Sequence, residues 1–194
     1  MLEGLLEWDQ ALFLQLNSFG SSFWDPFFLL LSHKATNVVF YLSLLLYIGY
    51  KRNTQQAVIL FFLAVLLVVI TDQITNAFKY GFERLRPCYT EGIKEKMRWV
   101  KEGCGGRYSF FSGHASNSFA LATFFGFVFS KYKRLLPLMF GLAAAVAYSR
   151  IYLGVHFPLD ILCGSLFGIL WTSLYFSVLY SLAKKKGHTA IFQL

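Results

Sequence analysis

Five long apolar segments constrain the fold of this chain more than any other feature of its sequence. They cover residues 36–50, 57–78, 112–130, 135–152 and 158–182. A helix needs roughly 20 residues to cross the hydrocarbon core of a bilayer, and only the first segment falls clearly short of that length. With 56% hydrophobic and 14% charged residues, the chain is too apolar for an ordinary soluble domain. The sequence predicts an all-α fold, a single polytopic membrane helical bundle formed by residues 1–194.

Two shorter segments near the N-terminus extend this prediction. Residues 5–16 are amphipathic and residues 23–31 are apolar but too short to cross a membrane alone. We expect them to form a kinked, interfacial N-terminal helix, giving about six transmembrane helices in all. Residues 1–10 are acidic and lack the basic region of a cleavable signal peptide. The long polar segment 81–111 is predicted to be a solvated lid loop.

Basic residues at the segment ends predict the orientation of the bundle. Lys51 and Arg52, the group from Lys131 to Arg134, and Lys184 to Lys186 all fall at ends that alternate to one face. The positive-inside rule makes this face cytoplasmic, so the lid loop is expected on the periplasmic or extracellular side of a cytoplasmic membrane. Because these basic residues flank the apolar segments, the net charge of +8 does not predict a nucleic-acid partner.

Three polar clusters lie at the opposite ends of the apolar segments. They contain Lys79 with Arg86-Pro87, then Ser112-Gly113-His114, and then Ser149-Arg150 with His156 and Asp160. Charged side chains are costly within a membrane unless they pair with one another or with a charged ligand. Lys and Arg bind phosphate, His attacks or protonates it, and an Asp four residues after a His shares its helical face. The clusters, within residues 72–160, therefore predict an anion site.

The spacing of these clusters resembles that of the type 2 phosphatidic acid phosphatases. This family of membrane lipid phosphatases shares its site with soluble acid phosphatases and vanadium haloperoxidases. Its pattern is Lys, six residues, Arg-Pro; Pro-Ser-Gly-His; and Ser-Arg, five residues, His, three residues, Asp. The sequence keeps every spacing, and Phe111 alone departs, standing where the family has Pro before Ser112.

The resemblance implies a role for each polar residue of the clusters. His156 is the nucleophile that forms a phosphohistidine, Asp160 orients it, and His114 protonates the leaving group. No metal ion or other cofactor is expected. The residues alone do not distinguish nucleophile from acid. Phosphate binding is assigned to Lys79, Arg86, Ser112, Gly113 and Arg150.

Further polar residues have two open interpretations. Asp72, Asn76 and Lys79 share a helical face, and Asn117 lies one turn after His114. With Ser149, these Asp and Asn side chains either support the site or make hydrogen bonds between helices. Cys88 and Cys104 both fall in the lid loop, where they either form a disulfide or remain free thiols.

The expected function is removal of phosphate from a membrane lipid phosphate or diphosphate embedded in the bilayer. Candidate substrates are undecaprenyl diphosphate, phosphatidylglycerol phosphate, phosphatidic acid and the phosphates of lipid A. The same motifs permit a phosphotransferase that passes the phosphoryl group to another lipid. A non-catalytic lipid-binding or transport protein is the alternative outside the enzymes.

Vanadate provides a test of whether the three clusters converge. A trigonal-bipyramidal oxyanion mimics the transition state of phosphoryl transfer, and a site complementary to that state binds the analogue more tightly than substrate. We expect millimolar or lower vanadate to inhibit phosphate release competitively. Turnover that is unaffected by vanadate would contradict a shared oxyanion site.

Overall fold

The computed structural model describes residues 2–51, 53–100 and 103–192. Arg52, Lys101 and Glu102, which entered the predictions of orientation and lid, lie outside the described residues. The described residues form seven α-helices, α1 (Leu2–Ser18), α2 (Asp25–Ser32), α3 (Lys34–Lys51), α4 (Thr54–Phe82), α5 (Gly113–Val128), α6 (Leu135–Tyr152) and α7 (Pro158–Lys185). They also form short 3-10 helices at Pro87–Tyr89, after α4, and at Thr189–Phe192, after α7, and they contain no β-strand.

The five apolar segments each fall on one helix, α3 to α7, but fewer helices than expected qualify as membrane spans. By length and apolar composition the described residues supply three, α4, α6 and α7, or four if the bent pair of α2 and α3 is one span. About six were predicted from the sequence. The central helix α5 has only 16 residues, about 24 Å at 1.5 Å per residue, which is less than the hydrocarbon thickness.

The N-terminal helices are arranged differently from the prediction. Residues 23–31 were expected to continue the amphipathic helix of residues 5–16, but α2 instead joins α3 with a bend of 63° at His33. The helix α1 is separate and buries Asp9 and Phe13, while Trp8 on its other face is exposed. A polar side chain in the buried face is what the amphipathic pattern did not anticipate.

The helix α5 is the centre of the bundle and packs against α4, α6 and α7. Its contact with α7 is close because glycines of α7 face its backbone. A Cβ atom added at Gly164 would lie 2.7 Å from the carbonyl oxygen of Ser112. One added at Gly168 would overlap the carbonyl oxygen of Ser116 and lie 3.0 Å from the amide nitrogen of Ala120. Only glycine permits this separation of the two helices.

The first turns of α5 and α7 are fixed by local hydrogen bonds. Ser112 caps α5 and accepts a hydrogen bond from the amide of Ala115 at 3.4 Å. The amide of Ser112 in turn donates to the carbonyl of Asp160 at 3.0 Å, which joins the first turns of α5 and α7. Pro158 occupies the first turn of α7, where its missing N–H costs nothing. The second and third sequence clusters are therefore held side by side.

Substitution of Gly168 tests the packing of α5 on α7. We expect Gly168→Ala to lower the free energy of unfolding by roughly 1–3 kcal/mol, because the added methyl group must displace backbone. Gly141→Ala in α6 is the matched control, since nothing lies within 4 Å of its added Cβ. This substitution should be neutral or stabilise by up to about 1 kcal/mol. Thermal unfolding of both variants in detergent measures the difference, and equal stability of the two would contradict the close contact.

Candidate active site

His156 and Asp160 meet at the start of α7. His156 is 1% exposed and Asp160 is fully buried. The Nδ1 atom of His156 lies 3.4 Å from Oδ2 of Asp160, and the same oxygen accepts a hydrogen bond from the amide of Phe157 at 2.9 Å. The spacing of four residues thus brings the carboxylate to one ring nitrogen. The other ring nitrogen, Nε2, lies on the side of the ring away from this carboxylate contact.

The surroundings of His156 favour its neutral form. Burial lowers the pKa of His156 well below its usual range, and the positive charges of Arg86, Arg150 and Lys79 lower it further. A hydrogen bond with the backbone of Ser109 opposes this shift. An imidazole that stays unprotonated at neutral pH retains the lone pair that a nucleophile requires.

Arg86 is held in the loop between α4 and α5 by backbone carbonyl groups. Its Nε donates to the carbonyl of Tyr108 at 3.1 Å, and its Nη1 donates to the carbonyl of Cys104 at 2.5 Å. The side chain is buried beside Gly105. Carbonyl groups are neutral acceptors, so they orient the guanidinium without cancelling its charge. Arg86 therefore keeps its attraction for an anionic ligand.

The side chain of Lys79, a residue of α4, reaches the N-terminus of α5. A Cβ atom added at Gly113 would be 3.7 Å from Nζ of Lys79 and 3.6 Å from Oδ1 of Asp72. The ammonium group and the free backbone amides of a helix N-terminus thus face the same region. Both attract the oxygens of an anion, and glycine leaves room for the approach.

Arg150 and His114 both contact the bend between α2 and α3. Nη1 of Arg150 donates to the hydroxyl of Ser32, while His114 makes a hydrogen bond with the backbone of Ser32. Arg150 and His156 are the nearby titratable groups on the other side of His114, with Lys34 beyond the bend. Ser32 gave no signal in the sequence, because only the bend at His33 brings it here.

The remaining predicted residues divide between the site and the helix packing. Asp72 lies close to Gly113. Ser149 donates to the carbonyl of Val146 at 2.6 Å, a bond within its own helix rather than toward His156. Asn76 is half-buried, and Oδ1 of Asn117 is buried with no partner among the described residues. The geometry favours a supporting role for Asp72 but gives none to Ser149.

Several contacts of the site involve residues that the sequence did not single out. Arg84 donates to Oδ1 of Asp160 at 2.8 Å and to Oδ2 of Asp9 at 2.5 Å. Thr75 and Ser116 place their hydroxyl groups 3.2 Å apart beneath the N-terminus of α5. The position of Arg84, two residues before Arg86, was the available signal for it. Asp9 gave a weaker one, as a lone carboxylate one turn before Phe13.

These contacts bring most of the predicted site residues close to one another. Three cationic side chains, one helix N-terminus and two imidazoles lie around one buried region, which suits binding and transfer of a phosphoryl group. Among the described residues, no three His, Cys, Asp or Glu side chains converge as metal ligands.

Comparison with known proteins gives the class to which this fold and site belong. The sequence model of the PAP2 superfamily matches residues 63–184, so the chain belongs to the PAP2 superfamily. It is a multi-pass membrane phosphatase.

Individual relatives agree with this assignment. The chain is 36% identical to a lipid A 4'-phosphatase of Porphyromonas gingivalis over 170 residues, which cover 87% of this chain and 72% of the relative. The fold is similar to that of Aquifex aeolicus LpxE, with a TM-score of 0.66, 24% identity and coverage of 86% and 93% of the two chains. It is also similar to a PAP2 type phosphatidylglycerolphosphate phosphatase from Bacillus subtilis, with a TM-score of 0.68, 22% identity and coverage of 92% and 87%.

A disulfide lies beside Arg86. The structure joins Cys88 to Cys104, whose Cα atoms are 6.3 Å apart, within the usual range for a disulfide. The carbonyl of Cys104 is the acceptor for Nη1 of Arg86. A covalent link at this position therefore restrains the loop that holds Arg86.

Mass spectrometry of unreduced protein tests the disulfide. We expect a peptide pair linked through Cys88 and Cys104, and we expect Cys88→Ser to destabilise the protein by about 3 kcal/mol in the chain-entropy model for a loop of this size. Cys163→Ser, a free cysteine of α7, is the control and should retain the linked pair. Alkylation of both Cys88 and Cys104 without reductant would contradict the bond.

Proposed function

We propose that this protein hydrolyses the phosphate ester of a membrane lipid through a phosphohistidine on His156, without a metal ion. The observation that carries the proposal is the buried His156, which pairs with Asp160 and lies near Lys79, Arg86 and Arg150. A phosphate monoester repels nucleophiles because its oxygens are negative. Three cations remove this repulsion and hold the phosphorus in line.

In the first half-reaction, the lone pair on Nε2 of His156 attacks phosphorus. The bond between phosphorus and the lipid oxygen breaks, and its electron pair goes to that oxygen, which His114 protonates. Asp160 accepts a hydrogen bond from Nδ1 and stabilises the positive charge that develops on the ring.

In the second half-reaction, water attacks the phosphorus of the phosphohistidine. His114, left unprotonated by the first step, removes a proton from this water as the bond between Nε2 and phosphorus breaks. The electron pair returns to Nε2, and inorganic phosphate leaves. The enzyme is then back in its starting state. A lipid hydroxyl in place of water would make the same chemistry a phosphotransferase.

The favoured substrate class is an acylated sugar phosphate of the lipid A type. The support is the relative named lipid A 4'-phosphatase, which is 36% identical across 87% of this chain. Phosphatidylglycerol phosphate is the second candidate, supported by a relative of Bacillus subtilis named phosphatidylglycerophosphatase B, which is 32% identical over 117 residues. Both candidates present a phosphate monoester at headgroup depth with apolar chains below it.

A row of aromatic side chains supports access from the bilayer. Phe111 packs 5.1 Å from Phe78 of α4 and 4.9 Å from Phe167 of α7, measured between ring centres, and Phe167 stacks on Trp171 at 6.3 Å. The row begins next to Ser112 and runs along α7 from Phe167 to Trp171. A lipid tail lying there avoids exposure to water, which costs about 0.8 kcal/mol per methylene.

The distribution of charge supports an active site on the periplasmic or extracellular face of the cytoplasmic membrane. Lys51 at the end of α3, Lys131 to Arg134 before α6 and Lys185 at the end of α7 lie at the opposite end of the helices from His156. Gln56 at the start of α4 also donates to the carbonyl of Ile191, so the start of α4 contacts the segment after α7. The positive-inside rule assigns that end to the cytoplasm.

Phosphate release from a panel of purified lipid phosphates tests the proposed function. We expect release from a lipid A phosphate with and without chelator, and a loss of at least about 1,000-fold for His156→Ala, since removing a nucleophile removes the covalent route. His33→Ala is the matched control, because this exposed histidine of the α2 to α3 bend has no role in the mechanism.

Several outcomes would contradict the proposal. Full activity of a folded His156→Ala protein would rule out His156 as the nucleophile. Activity that is lost to chelator and restored by a divalent ion would show that the mechanism requires a metal. Phosphate recovered on a second lipid instead of in solution would identify a phosphotransferase. Lipid binding with no turnover of any substrate would favour the non-catalytic alternative.

A further inference from the structure

Arg84 connects two buried carboxylates at the base of the site. Its side chain is 17% exposed, while those of Asp9 and Asp160 are fully buried. Separate nitrogens reach the two residues, Nη1 to Asp160 at 2.8 Å and Nη2 to Asp9 at 2.5 Å. The guanidinium also lies 4.4 Å from the ring centre of Phe157, which covers its face. Arg84 is thus fixed in one orientation by three contacts.

The contacts of Asp160 assign one function to each of its oxygens. Oδ1 accepts from Arg84, while Oδ2 faces the amide of Phe157 and Nδ1 of His156. Rotation of the carboxylate would break both the bond to Arg84 and the bond to Phe157. The orientation of Asp160 toward His156 therefore depends on Arg84 as well as on α7.

Asp9 ties α1 to the same place. Its Oδ1 accepts a hydrogen bond at 2.8 Å from the amide of Leu159, which lies in the first turn of α7. Burial raises the pKa of the Asp9 carboxyl above its usual range, while the hydrogen bonds from Arg84 and Leu159 favour the charged form. A guanidinium and a helix N-terminus are partners that favour the ionised carboxylate over the neutral acid.

The charges of these residues explain why two carboxylates are present. Arg84 alone would cancel the charge of Asp160, leaving a neutral pair next to His156. With Asp9 ionised, the group of three carries one net negative charge. That charge opposes the positive charge that His156 acquires when it bonds to phosphorus. Asp9 therefore lets Arg84 orient Asp160 without removing its electrostatic effect.

We propose that Arg84 and Asp9 are positioning residues for the phosphotransfer reaction, Arg84 orienting Asp160 and Asp9 preserving its effective negative charge. This inference rests on the proposed function of His156. It adds to the site a residue of the loop before α5 and a residue of α1, 75 positions apart in sequence.

The test compares Asp9→Asn, Arg84→Gln and the double variant in the intact protein, with kcat, KM and the pH profile measured on one lipid phosphate. We expect kcat to fall about 10- to 100-fold in either single variant with little change in KM, as is typical when a supporting group is removed. A lesion that only loosened the fold would lower the melting temperature without this separation of kcat from KM.

The low-pH limb of the pH profile of kcat/KM, called the acid limb below, gives a second readout, because each variant should move it in a stated direction. Loss of a negative charge in Asp9→Asn lowers the pKa of His156 and moves the limb to lower pH. Loss of a positive charge in Arg84→Gln raises that pKa and moves the limb to higher pH. The double variant leaves Asp160 with its own charge, so its limb lies between those of the single variants. The other groups that face His156 are Asp160, Lys79, Arg86, Arg150, His114 and the Ser109 backbone, and none of them changes.

Asp25→Asn is the matched control. It removes another ion pair in the same part of the protein, in which Arg98 lies 2.6 Å from Asp25. This ion pair does not contact Asp160. This variant should keep the acid limb of the wild-type protein. Arg84→Lys covers the case in which Arg84→Gln does not fold, since it retains the charge and the limb but lowers kcat.

Wild-type kcat in the folded single variants, or limbs that move in the same direction, would overturn this inference. A failure of the proposed function is distinguishable from these results. In that case the wild-type protein releases no phosphate, or His156→Ala retains activity, whatever the Asp9 and Arg84 variants do.

Discussion

The close contact between the first turns of α5 and α7 is the interaction on which the rest of the site depends. The amide of Ser112 donates to the carbonyl of Asp160, and Gly164 lets these backbones approach. This contact sets the anion-binding N-terminus of α5 beside the helix that carries Asp160, just after His156. Lys79 and Arg150 come from the C-terminal ends of α4 and α6, which pack against α5. Residues from three separate parts of the sequence are thereby brought to one place.

Electrostatics explain how such a site is maintained before a phosphate binds. Cations buried together repel one another, and nothing in the site neutralises them fully. Arg86 is held by the carbonyls of Tyr108 and Cys104, and Arg150 by the hydroxyl of Ser32. Neutral acceptors satisfy the donors and leave the positive charge available. Burial and the same positive charge lower the pKa of His156, which favours the unprotonated ring that the proposed mechanism requires.

The sequence predicted the helices and the residues that meet at the site much better than it predicted their surroundings. Spacing within a helix or a short loop is local, so the pairing of His156 with Asp160 follows from their separation of four residues across the start of α7. The contact of Asp9 with Arg84 depends on where α1 packs, which no local pattern specifies. The bend at His33 is a similar case, since residues 23–31 carry no signal that they continue into α3 rather than α1. The count of about six membrane spans stays a prediction, because among the described residues three helices, or four spans with the bent pair of α2 and α3, are long and apolar enough to cross a membrane.

The central claim is that a neutral, buried His156 becomes covalently phosphorylated. The most direct measurement is rapid acid-free quenching of the enzyme with lipid phosphate labelled at phosphorus, followed by peptide mapping. We expect a base-stable, acid-labile label on the peptide that contains His156, formed within one turnover and absent from His156→Ala. Turnover without any labelled enzyme, or a label on another residue, would contradict it.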